Sequence, residues 1–345
     1  TLFRSAKIAG GIYNSGVISG ASYGVAFISS TMSGDFFNSG TVSTSNQSSV
    51  SGGLNSSGLY IQGSSFAGRI SNTGRIFGGN TGIFLASSNV TGGITNTGVI
   101  AGGDVTSWDS RGLNLGYATL TGNVINAAGA TIAGGTAGFN MYGSTLTGAL
   151  MNYGLIQGTT SLRANGDAVW IGVSSLITGG ITNAGSITGV LSGISIVTNS
   201  NVSGAINNTG LISGSTGVLV ANSTIGGGIT NSGLINGLGG NAISIVASPS
   251  INLSNAASGT IIGAINGSAN VSNSGLWALQ TASGASGAVV AGSHANASIS
   301  GSYTQASGAT LQVGVNGTNG SGTLAGNYST LNVSGAASFA SGSTV

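Results

Sequence analysis

The chain has 345 residues, of which 66 are Gly, 1 is Pro, none is Cys and 3% are charged; an ordinary globular domain carries about 25% charged residues and roughly 7% Gly. Its formal charge of +2 comes from 6 Lys+Arg against 4 Asp+Glu, so a pI near 9.1 reflects scarce titrating groups, and so few scattered cations cannot form the stripe that nucleic acid needs. Absence of cysteine excludes disulfide staples and thiol catalysis, and no apolar run approaches the roughly 20 residues of a transmembrane helix.

Thr1-Leu2-Phe3-Arg4 has no apolar run behind it and reads as the start of an excised fragment without a signal peptide. From there an internal repeat takes over. The unit Asn-x-Gly-x-(Ile/Val/Trp) stands at Asn14, Asn38, Asn72, Asn96, Asn152, Asn183, Asn208, Asn231 and Asn273, with looser copies at Asn55, Asn126 and Asn255. Twelve copies imply a period of about 23–24 residues, within the range of solenoids. Apolar residues lie two before the Asn (Ile12, Phe36, Ile70, Ile94) and four after it (Ile18, Val42, Ile76, Ile100), the two-residue alternation of a strand with one buried face. A second segment of form Gly-apolar-x-apolar follows in most units (Val25/Phe27, Ile83/Leu85, Leu113/Leu115). A third, shorter one carries Met32, Val90, Leu120, Leu146, Leu176, Val202 and Ile225. Gly is frequent, Glu is absent and nothing repeats at 3.6, which excludes helices.

Three short strands per coil predict an all-β right-handed parallel β-helix of the pectin-lyase-like solenoid type. Asn and Gly tolerate φ > 0, so the Asn-x-Gly element is expected to turn a corner. Asparagines stacked from coil to coil are expected to form an amide ladder. A rod of roughly 50–55 Å follows from about 4.8 Å per coil.

Two intervals are long: 30 residues from Asn96 to Asn126 and 31 from Asn152 to Asn183. Their extra residues hold Asp104, Trp108, Asp109 and Arg111, then Arg163, Asp167 and Trp170. These rare side chains sit about two coils apart, roughly 10 Å if both insertions leave the same corner. Together, with Asn114, Asn140 and Tyr142 on the outward face of the neighbouring strands, they form a candidate ligand-binding cluster. Structurally, such loops can also pair their own charges and tuck their rings against the rod. Val17, Val99, Leu155, Leu211, Leu234 and Leu276, each three after an Asn, form a possible outward apolar stripe for self-association; the alternative is that the bend buries them.

The repeat array covers residues 1–298. Residues 299–345 alternate like a strand hairpin (Leu311, Val313, Val315; Leu331, Val333) and are expected to cap the open end. Here Tyr303-Thr304-Gln305, Gly308-Ala309-Thr310-Leu311-Gln312-Val313 and Leu331-Asn332-Val333-Ser334-Gly335 resemble the autochaperone region that ends bacterial autotransporter (type V secretion) passengers. The upstream Gly-Gly-Ile-Thr-Asn units resemble the repeats of adhesin-type passengers. The resemblance implies export across the outer membrane of a Gram-negative bacterium through the chain's own C-terminal β-barrel, and folding at the cell surface.

Catalysis by paired carboxylates has only Asp35, Asp104, Asp109 and Asp167 to draw on, with one histidine, His294, remote from them in sequence. No nucleophile motif is present, and no catalytic residue, metal or cofactor is expected. The leading expectation is a non-catalytic surface stalk or adhesin that contacts a host or bacterial surface protein or glycan. A polysaccharide lyase or hydrolase is the alternative. An ice-binding face needs a regular Thr array that Thr95-x-Thr97 begins and the other coils do not continue.

Overall fold

The structure is a computed structural model that describes residues 1–45, 56–103, 110–160, 166–315 and 328–345. Among these residues every regular element is a strand, and the strands stack in parallel, each on its counterpart one coil away. The result is a right-handed parallel β-helix with three sheet faces.

One coil shows how the sequence builds the wall. Ile70–Asn72 lies on the first face, Arg75–Gly78 and Thr81–Ala86 on the second, and Asn89–Val90 on the third, before Ile94–Asn96 begins the next turn. The single strand expected around each Asn is therefore two short strands on different faces, split by the Asn-x-Gly element. The apolar residues that flank the Asn nonetheless both point inward, as with Ile70 and Ile76. Stacked above and below, they form continuous columns such as Ile181, Ile206, Ile229, Leu253 and Val271. These columns join in one apolar core that runs the length of the rod. On the third face the buried residue of one coil is Ile177, not Leu176: the register sets Ile177 opposite Leu146 and Val202.

The Asn-x-Gly element works differently from the expectation. None of the ladder asparagines has a positive φ; each points inward and is buried. Its Nδ2 donates to Oδ1 of the Asn in the next coil at 2.7–2.9 Å. The same amide also donates to the carbonyl two residues on, as Asn72 does to Gly74, and to a carbonyl of the next coil, as Asn72 does to Val99. Each Asn thus satisfies backbone groups that the bend would otherwise leave buried and unpaired. The following Gly is required by close approach: a Cβ on Gly98 would lie 2.0 Å from the Gly74 carbonyl oxygen below.

The ladder runs Asn14, Asn38, Asn72, Asn96, Asn126, Asn152, Asn183, Asn208, Asn231, Asn255 and Asn273. Asn38 bonds directly to Asn72 across 34 residues; Asn55 lies outside the described residues. Steps of 23 to 34 residues separate the first ten rungs, and the last spans 18. At about 4.8 Å per step the ladder is roughly 48 Å long.

Among non-glycine residues, the left-handed conformations fall at the other corner, after the long strand of the second face. Ser29, Ser87, Tyr117, Thr198, Asn222 and Ala247 occupy it with φ between 46° and 57°. Next to this corner runs a second internal ladder that the sequence reading missed. Backbone N–H groups donate to the serine Oγ one coil on, from Ser30 through Ser64 to Ser88 and from Ala118 through Ser144, Ser175, Ser200 and Ser223 to Ser248, at 3.0–3.2 Å.

Stacking continues across residue 298. Asn296–Ile299 pairs in parallel with residues 266–267 and with Thr330–Val333, and Tyr303–Gln305 sits on Val271–Asn273. Residues 310–313 and 330–333 each stack in parallel on the coil before them, and the two segments meet antiparallel at a single bridge, Val315 to Tyr328. Gln305 takes the ladder position above Asn273 and is fully buried. Its longer side chain donates to the carbonyls of Ala309 and Thr344, much as the asparagines cap their bends.

Candidate functional site

The outward side of the long second-face strands holds a cleft of about 400 Å³. Three register columns build it. Phe84, Asn114, Asn140 and Trp170 occupy successive coils of the first column. Thr81, Arg111, Ala137 and Asp167 form the second, and Ala86, Gly116, Tyr142 and Gly172 the third. Because the inward neighbours Leu113, Leu115, Phe139, Met141, Val169 and Ile171 are locked in the core, strict alternation fixes the outward direction of the floor residues.

Asn114 and Asn140 form the floor, each only 5% exposed. Asn140 Nδ2 donates to Asn114 Oδ1 at 2.7 Å, which leaves Asn114 Nδ2 to donate and Asn140 Oδ1 to accept. Phe84 and Trp170 stand at the two ends, three coils and roughly 14 Å apart. Tyr142 stacks on Trp170 with ring centroids 6.3 Å apart, and Tyr117 meets Tyr142 edge-on at 5.1 Å. Glycines make room for these rings. A Cβ on Gly172 would fall 2.2 Å from the Trp170 ring, and one on Gly143 would fall 2.7 Å from Tyr117. Tyr117 itself holds φ at 53°, a conformation strained for a bulky side chain and one that clusters at functional sites.

Asp167 lies on the side of the cleft, 5% exposed, and its Oδ1 has no hydrogen-bond partner. Burial pushes its carboxyl up to about 6, against the pull of the Ser192 hydroxyl and amide. Water stabilises a carboxylate better than this cleft does, so the neutral acid is favoured well above the ordinary range. Arg111 sits in the same column two coils away, roughly 10 Å at the backbone.

The structure therefore brings Arg111, Asp167 and Trp170 together with Asn114, Asn140 and Tyr142. Asp104, Trp108, Asp109 and Arg163 lie outside the described residues. Sequence reasoning missed Phe84 and Tyr117. Phe84 belongs to a coil without unusual length and joins the cleft only through register. Tyr117 carries a signal in hindsight, being an aromatic where the other coils place Ser, Thr, Asn, Gly, Ala or Val.

The remaining candidates are placed as follows. Asp35 serves the fold, its Oδ1 accepting from the Arg69 amide at 2.8 Å. No cluster of His, Asp or Glu suited to a metal occurs among the described residues. The outward column of Val17, Val99, Leu155, Leu211, Leu234 and Leu276 is neither a continuous stripe nor buried. Thr41, Arg75, Thr131, Ser186 and Thr260 interrupt it, Val17 is exposed, and the others are half-buried. The Thr95 column reads Ser71, Thr95, Ile125, Met151, Thr182, Asn207, Thr230 in successive coils, which is no regular Thr array.

Comparison with protein-family models, with curated proteins and with solved structures returned no match.

Proposed function

We propose that this chain is a non-catalytic surface-displayed rod, an autotransporter passenger of adhesin type, whose contact with its target is made through the cleft between Phe84 and Trp170. The observation that carries the reading is the cleft itself: a polar amide floor between aromatic walls, on an otherwise Ser/Thr/Asn-rich exterior. Aromatic rings with an adjacent hydrogen-bonding floor are the chemistry of recognition surfaces. Residues 303–335 support the secretion route through their resemblance to autochaperone segments. The implied location is the outside of a Gram-negative cell, with the target a protein or glycan of a host or bacterial surface.

Asp167 favours one second reading, a carbohydrate-active enzyme, because a buried acid titrating near neutrality suits a general acid. Glycoside hydrolysis takes two carboxyl groups about 5–9.5 Å apart. Asp167 lines the cleft, so that reading requires a second carboxyl at such a distance from it.

The test joins the chain to an outer-membrane barrel and displays it on a Gram-negative cell. Adhesion to host cells or to other bacteria should fall at least tenfold on Trp170→Ala, with display level unchanged and no reducing ends released from polysaccharide. Adhesion equal to that of the parent would remove the cleft from the account.

A further inference from the structure

The cleft has a direction. It is built from four successive coils, with Phe84 and Trp170 in one register column at its ends and the two asparagines between them. The line from Phe84 over the two asparagines to Trp170 therefore runs parallel to the rod. Polar groups repeat along it at the coil spacing of about 4.8 Å, close to the rise per ring of an extended sugar chain.

Its chemistry also alternates in a definite way. Asn114 Nδ2 donates and Asn140 Oδ1 accepts on the floor, and the unpartnered, 95%-buried Asp167 Oδ1 lines one side. Phe84, Tyr142 and Trp170 present apolar rings. A ligand that fits must carry hydroxyl donors and acceptors around its rim and C–H-rich faces on its rings. A peptide strand would use backbone groups at a sheet edge, whereas here every backbone edge of the floor strands is already paired to the coils on either side.

We propose that the cleft binds a neutral, linear oligosaccharide aligned with the rod axis, about three sugar rings long, with its outer rings packed against Phe84 and Trp170. This rests on the cleft being the contact site, and it adds the ligand class and its orientation. Asp167 Oδ1 accepts a hydrogen bond from a hydroxyl of the sugar, which supplies the partner it lacks within the chain. Tyr117 and Tyr142 flank the ring nearest Trp170.

The test is calorimetric titration of the whole chain with graded neutral oligomers of glucose, galactose, mannose and N-acetylglucosamine, from one to six rings. For at least one series, affinity should rise tenfold or more from one ring to three and then level off. Trp170→Ala and Phe84→Ala should each weaken the three-ring ligand at least tenfold. Unchanged β-type circular dichroism would show that these variants keep their fold. No binding in any series, affinity independent of length, or full affinity in both variants would overturn the proposal. If displayed cells adhere through Trp170 but no oligosaccharide competes, the ligand class is wrong and the contact site stands. If oligosaccharides bind but displayed cells do not adhere, the display reading fails and this one stands.

Discussion

At the scale of single residues, the buried amides set the stability of each bend. Asn152 accepts from Asn126 and donates to Asn183, Gly154 and Ser186, so truncating it strands groups on both sides. Asn152→Ala should cost about 1–3 kcal/mol in denaturant unfolding, the price of leaving buried polar groups unpaired. Asn207→Ala, one residue from the ladder but exposed, should stay within about 0.5 kcal/mol. Asp167 gives a pH signature. Its carboxyl titrates near 6 in the folded chain and in the ordinary lower range when unfolded, so between those limits the folded state holds a proton that the unfolded state releases. Stability should therefore fall as pH rises from 4 through 6, by on the order of 3 kcal/mol, and then level. In Asp167→Asn this fall should vanish; an unchanged pH profile of thermal unfolding would show that the carboxyl is not held in a desolvating site.

At the scale of the element, the Asn-x-Gly bend is a close-packed joint between coils. A Cβ on Gly185 would lie 2.1 Å from the Gly154 oxygen, whereas Gly16, in the first coil, has nothing within 4 Å of its own Cβ position. Gly185→Ala should destabilise by about 3 kcal/mol through backbone displacement, and Gly16→Ala should be tolerated; equal melting shifts for the two would contradict the joint. The existence and spacing of these bends were legible in the sequence, because every coil must return an apolar residue and an amide to the same inward positions. Their mechanism was not. An Asn two before a Gly reads equally well as a left-handed corner or as an inward cap, and only the dihedrals and the hydrogen bonds separate them. The serine ladder stayed hidden for a compositional reason: in a chain this rich in Ser and Gly, a serine every coil does not stand out.

At the scale of the whole molecule, the rod is a sum of neighbouring contacts, and the cleft between Phe84 and Trp170 is a property of register. Arg111, Asp167 and Trp170 were legible because charged and aromatic residues are rare here, while Phe84 was not. Placing it opposite Trp170 requires knowing that coils of 24, 30, 26 and 31 residues all return to the same column. The same modularity allows the most direct test of the account, a pair of single-coil deletions read for folding and for adhesion. Removing residues 209–231 shortens the rod beyond the cleft and keeps an Asn at each rung. Removing residues 127–152 takes out one coil of the cleft, with Asn140 and Tyr142. Both should give cooperatively unfolding β-rich rods, and only the second should lose adhesion. Loss of folding in both would contradict the stacked, modular rod, and adhesion retained in both would contradict the cleft as its working surface.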